Sequence, residues 1–287
     1  MPELPEVETI RVGLSKRLLN VIISDVEVRK KKIVRGDVKA FSQGLKGKKF
    51  FSISRRGKLL VFHLSGAETY LLVHLKMTGQ LIYEKGKTLI AGGHSWPSLK
   101  DPLPNKYSHV ILSLVDGATL FFNDMRQFGY MELADSKRLA EVLDVFGPEP
   151  LESDFTFEVF NQMLGKRTIA IKAALLNQTV LAGVGNIYAD ESLFMAGIRP
   201  TRSVKSLTMT EKKKLFKAIP VMLRRALTYG GTTFSDYRDV EGKKGNFTRL
   251  LKVYGRGGEL CVKCKKTKLK KATVAGRGTV WCTTCQR

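Results

Sequence analysis

No cysteine occurs before position 261, no apolar run approaches the length of a bilayer span, and acidic residues are outnumbered, 26 against 49 Lys plus Arg. The first absence excludes a scattered disulfide framework. The second excludes a membrane-crossing helix, which needs about 18 or more consecutive apolar residues. No basic segment followed by an apolar one opens the chain, no lipidation signal or lysine-rich amphipathic helix stands out, and no internal repeat recurs at a fixed period. The chain therefore reads as soluble, cytoplasmic and free of membrane partners. A formal net charge of +23 and a pI near 9.9 call for a polyanion, because each neutralised phosphate releases counterions. With 287 residues and 43% hydrophobic composition there is material for about two domains with real cores.

Against this basic background the first nine residues, Met-Pro-Glu-Leu-Pro-Glu-Val-Glu-Thr, carry three glutamates. Pro5, the early acidic residues and the spacing of Val7, Ile10, Leu14 and Leu18 predict an ordinary amphipathic helix. The same stretch suits chemistry. Removal of Met1 would leave Pro2 with a free secondary amine, and an α-amino group titrates near 7.7 to 8.0, low enough to serve as a nucleophile with little help. Glu3 and Glu6, three apart, could face one reaction centre.

Residues 20–134 read as β-rich, with short β-branched or aromatic runs at 21–28, 49–54, 59–64, 70–75, 109–115 and 119–122, which suggests a sandwich or barrel. Residues 84–106 lack periodicity and read as a long exposed loop. Gly147-Pro148-Glu149-Pro150 marks a linker, because two prolines block helix continuation. Beyond it, 155–164, 168–177, 186–196 and 210–229 have helical spacing, and 230–258 is a polar connection. The fold class is α+β. The expected division is 1–134, 135–151 for a helix and linker, 152–258, and 259–287.

Cys261, Cys264, Cys282 and Cys285 follow C-x2-C-x17-C-x2-C, the spacing of a tetrathiolate zinc ribbon. Four thiolates leave zinc no open position, so one structural Zn2+ should hold a small hairpin and do no chemistry. Ala182-Gly183-Val184-Gly185-Asn186 is a glycine-rich turn entering a helix, a place where backbone N–H groups can receive a phosphate. Taken singly, Lys58 is a strand end, His74, Met77 and Phe128 are core candidates, and Arg277 is one more solvated charge.

Together these strings resemble the bacterial formamidopyrimidine-DNA glycosylase family in order and over nearly the whole chain. The resemblance implies an N-terminal catalytic β-sandwich with its helix, a helix-two-turn-helix DNA-binding domain and a zinc ribbon. It also implies a nucleoid-associated monomer that acts on double-stranded DNA bearing a damaged base or abasic site. Base-excision repair of oxidised purines would begin with attack of the Pro2 amine on C1′, with Glu3 and Glu6 moving protons or orienting the amine and Lys58 lowering the amine's pKa. Met77, Arg126 and Phe128 match the residues that fill the void left by the flipped nucleotide. His74, Lys172, Asn186, Tyr254 and Arg277 match DNA contacts. The sequence departs from the family pattern at Met125, where proline is expected, at Gln127, where arginine is expected, and at Lys76, where glycine is usual. An endonuclease VIII-like enzyme acting on oxidised pyrimidines is the sister reading, although Leu4 stands where that branch has glycine. A zinc-ribbon binding protein without activity is the third.

Overall fold

The computed structural model describes residues 1–86, 88–93, 101–232 and 247–287. The chain forms two compact units, Met1–Leu143 with Tyr229–Asn246, and Asp144–Thr228 with Phe247–Arg287.

The first unit opens with α1 (Leu4–Leu18), whose buried face is the predicted one, with Val7, Ile10, Leu14 and Leu18 all in the core. Among the described residues ten strands follow: β1 (Ile23–Val28), β2 (Val34–Arg35), β3 (Phe50–Arg56), β4 (Leu59–Leu64), β5 (Tyr70–His74), β6 (Gly79–Lys85), β7 (Thr88–Gly93), β8 (Ser108–Leu114), β9 (Thr119–Asp124) and β10 (Tyr130–Ala134). They make two five-stranded sheets, ordered β1-β8-β9-β6-β7 and β2-β10-β5-β4-β3. One apolar cluster, including Ile53, Phe62, Leu71, Leu81, Leu112 and Phe122, draws on both sheets and on α1. The α+β reading holds, with a sandwich in the first unit.

Two local readings need correction. The expected loop at 84–106 begins with strand: Gly86 at φ +57° turns the chain and β7 pairs antiparallel with β6 at the sheet edge, while 94–100 lies outside the described residues. A short helix, α2 (Val38–Leu45), interrupts the β-rich stretch. Its signals were local: the Asp37 side chain accepts from Ala40 N at 2.7 Å, and Phe41 and Leu45 bury one face.

After α3 (Ser136–Asp144), the second unit carries α4 (Phe157–Leu164), α5 (Ile171–Leu176), α6 (Asn186–Ala196) and α7 (Met209–Thr228), then the hairpin β11 (Lys270–Val274) and β12 (Arg277–Trp281). The Gly147-Pro148 segment is no slack tether. Ala182 N donates to Pro148 O, and a Cβ on Gly147 would stand 2.7 Å from Thr179 O, so only glycine allows this approach to the 179–182 turn. The 233–246 part of the polar connection lies outside the described residues.

Candidate functional site

In the first unit the structure gathers the predicted groups at the start of α1. Pro2, Glu3, Glu6 and Lys58 are all buried, the last three at 2%, 4% and 4% exposure. The plain expectation for Lys58, an exposed strand end, fails because β3 and β4 are joined by the two-residue turn Gly57-Lys58, with Gly57 at φ +56°, which puts the lysine inside. The α-amine, carried here by Met1 one residue upstream of the Pro2 nitrogen, is held below its ordinary value. Burial is the largest cause; the Glu3 and Glu6 carboxylates oppose it, and the Lys58 and Arg126 charges reinforce it. Lowering by Lys58 was expected, but burial does more.

Glu6 is held from two sides. Its Oε2 accepts from Glu3 N at 2.9 Å, and its Oε1 accepts from Thr232 N at 2.7 Å and Thr232 Oγ1 at 3.0 Å. Gly231, at φ +82°, lies so close that a Cβ there would meet Glu6 Oε1 at 2.7 Å. Glu8, the third glutamate, turns away from the amine. It accepts from Arg55 Nε at 3.0 Å and Arg11 Nη2 at 2.7 Å, while Arg55 Nη1 donates to Gly57 O, so this pair ties α1 to the Lys58 turn.

The β5–β6 and β9–β10 connections both cross between the sheets, and register places them side by side, because Gly79 pairs with Asp124 and His74 with Tyr130. Asp124, fully buried, binds them together: it accepts from Thr78 Oγ1, from Arg126 N at 3.1 Å and from Gly129 N at 2.7 Å. Met77, Arg126 and Phe128 are thereby presented from neighbouring loops. Phe128 is 55% exposed with the Arg126 guanidinium 4.7 Å from its ring centroid, so neither it nor half-buried Met77 is a core residue. His74 is buried, and its Nδ1 accepts from Lys76 N at 3.0 Å, which leaves the proton of the neutral ring on Nε2. Burial, then Lys76, Lys58 and Arg35, push its pKa down to about 3.

In the second unit the glycine turn leads into α6, with Gly185 as N-cap and Gly183 at φ +87°. The Gln178 side chain staples the turn, accepting from Gly183 N and donating to Val184 O, both at 2.9 Å. Half-buried Asn186 donates from Nδ2 to Gly278 O at 3.0 Å. Lys172 corrects its reading as a DNA contact: it is 0% exposed, paired with Asp190 Oδ1 at 2.6 Å and donating to Thr279 Oγ1 at 2.7 Å and Gly278 O at 3.2 Å. With no surface of its own, it fastens β12 beside exposed Arg277. Glu191, also buried, accepts from the backbone N–H groups of Lys252, Val253 and Tyr254, which fixes the chain at half-buried Tyr254.

The four cysteine sulfurs lie within 4.8 Å of one another, Cys261 to Cys285 at 3.9 Å and Cys264 to Cys282 at 3.7 Å. These separations are far beyond a disulfide's bond of about 2.05 Å. They suit a metal ion among four thiol ligands. Gln286 braces the knuckle, accepting from Cys282 N and donating to Ile198 O.

Comparison with known proteins meets this geometry at both ends. The model of the formamidopyrimidine-DNA glycosylase N-terminal domain matches residues 1–131, and that of the formamidopyrimidine-DNA glycosylase H2TH domain matches 146–238. The chain belongs to the formamidopyrimidine-DNA glycosylase family. Formamidopyrimidine-DNA glycosylases of Desulfitobacterium hafniense and Carboxydothermus hydrogenoformans are each 44% identical to it, with 100% of both chains covered. Lactococcus lactis Fpg in complex with DNA containing an abasic site has a TM-score of 0.88 at 34% identity over 99% of both chains. A point mutant of that Lactococcus lactis protein, in complex with DNA containing Fapy-dG, has a TM-score of 0.88 at 35% identity over 100% of both.

Four residues of this family member that sequence reasoning passed over prove to organise its sites: Thr232, Asp124, Glu8 and Glu191. Each acts through hydrogen bonds to positions distant in the chain, as far as 226 residues for Thr232 and Glu6. Only Glu8, inside the acidic opening, carried a local signal.

Proposed function

We propose that the chain is a base-excision-repair DNA glycosylase and AP lyase that removes oxidised purines from duplex DNA through the Pro2 amine, exposed once Met1 is removed. The observation that carries this reading is the convergence of buried Pro2 with two buried carboxylates and a buried lysine at one helix start. The burial and the Lys58 charge that hold the Met1 amine below its ordinary value would likewise keep the lone pair of a Pro2 amine available near neutral pH. That pair forms a bond to C1′ as the glycosidic bond breaks, its electrons leaving with the base, which takes up a proton. Opening of the sugar gives an iminium that acidifies C2′–H; β-elimination then expels the 3′ phosphate, and δ-elimination the 5′ phosphate. Glu3, the N-cap of α1 beside the amine, suits the proton transfers at the sugar. Glu6, with both carboxylate oxygens already accepting hydrogen bonds, suits positioning.

Neutral His74 would donate Nε2–H to a backbone phosphate, Met77 and Phe128 would wedge into the stack, and Arg126 would meet the orphaned base. Asn186, Tyr254 and Arg277 are the contacts we assign to the second unit. The cysteine cluster would hold structural zinc: a tetrahedron with Zn–S bonds of about 2.3 Å has edges of roughly 3.8 Å, close to the Cys261–Cys285 and Cys264–Cys282 separations of 3.9 and 3.7 Å. Zinc would brace the ribbon and take no part in bond breaking.

Borohydride trapping on a duplex with 8-oxoguanine opposite cytosine, followed by peptide mapping, tests this. A crosslink at Pro2 is expected, together with loss of trapping by more than about a hundredfold in Pro2→Gly. Full-rate base release and trapping by Pro2→Gly would refute the assignment. Preference for thymine glycol would instead support the sister reading.

A further inference from the structure

Around the Tyr130 ring, next to His74, the first unit brings positive charges together. The Arg35 guanidinium carbon stands 3.3 Å from the ring centroid, the Lys76 ammonium 5.9 Å, and the His74 ring 5.8 Å. Lys76 holds φ +49°, a left-handed conformation that glycine, usual here by family pattern, would fill without strain. Its ammonium is half-buried, and its pKa is lowered by burial and then by Arg35, so the two cations repel. One acidic neighbour offsets part of this: Glu132 Oε2 forms a long ion pair with Arg35 at 3.7 Å, while its Oε1 accepts from Arg138 Nε at 2.6 Å, and the pair leaves Arg35 without a hydrogen bond to that carboxylate. A lysine in a glycine conformation, set against an arginine, is costly to the free protein and becomes favourable when an anion lies between them.

We propose that Lys76 and Arg35 form a second phosphate grip beside His74, extending the backbone contact of bound duplex DNA; this rests on the DNA-binding reading above. Arg35, its guanidinium carbon 3.3 Å from the Tyr130 ring centroid and its side chain 49% exposed, can offer N–H groups to phosphate oxygens. Lys76 adds a point charge on the loop that carries Met77. The grip reads no base, so it acts on affinity for any sequence.

The test is the salt dependence of affinity for a duplex with a tetrahydrofuran abasic analogue, using the full chain and the Lys76→Gly, Lys76→Arg and Arg35→Gln variants. Each lost contact should reduce the slope of log K against log salt by about 0.9. Lys76→Gly and Arg35→Gln should each show that reduction, the double variant about twice it, and Lys76→Arg should keep the original slope. Lys76→Gly suits the backbone at φ +49°, so misfolding is not a competing explanation. An unchanged slope in Lys76→Gly, with the parent chain binding steeply, overturns the grip alone. Failure of the parent chain to bind the duplex overturns the DNA reading itself.

Discussion

Both units hold buried charges with internal partners, but the first alone also gathers cations at its predicted DNA-facing groups. In the second, Lys172, Asp190 and Glu191 are at most 1% exposed, and each is satisfied internally, by an ion pair of 2.6 Å or by backbone N–H groups. In the first, Glu6 and Asp124 are held in the same way, but Arg35 and Lys76 stand together beside the Tyr130 ring, Lys58 and Arg126 bear on the terminal amine, and Phe128 is 55% exposed. Buried charges matched by partners hold an architecture; basic groups gathered on one another await an anion from outside. The comparison separates positions that should report on stability from positions that should report on DNA.

The largest effect should come from breaking the internal pair. Lys172→Met leaves Asp190 uncompensated in the interior and should cost about 3–5 kcal/mol in urea denaturation, whereas Lys172→Met with Asp190→Leu should recover most of it. A loss under about 1 kcal/mol in the single variant would remove the architectural role. Phe128→Ala should do the reverse. At 55% exposure it should shift stability by no more than about 0.5 kcal/mol, while trapping on lesion DNA falls at least about tenfold. A large stability loss there would return Phe128 to the core.

The smallest effect is a titration. With its pKa pushed down to about 3, His74 should stay neutral through the physiological range, and its ring signal in the free protein should not move above about pH 4 in a histidine NMR titration. Folded His74 binds its proton less readily than the unfolded chain does. Its contribution to stability is therefore present above the ordinary value of 6.5 and is lost as pH falls from 6.5 toward 3. Titration near 6.5 would mean that the ring is open to water and not held by Lys76 N.

Much of the site was legible before the fold. The acidic opening, the four cysteines and the glycine turn are local, and their chemistry follows from spacing along a helix, a hairpin or a turn. Lys172 was misread for a physical reason: a lysine in a basic chain has the same sequence signature whether it meets phosphate or a buried aspartate 18 positions away. Likewise, nothing near Phe128 tells a wedge from a core aromatic. The inter-sheet crossing and its register with the β5–β6 loop make that difference.

What the sequence determined by itself is whatever short-range stereochemistry dictates: the buried face of α1, the β-branched and aromatic strand runs, the thiol ligand set and the family. The tertiary structure alone decided which charges are internal and which are offered, because burial and pairing depend on partners as distant in the chain as Glu6 and Thr232. Those partners are chosen by sheet topology and packing, to which local spacing carries no reference.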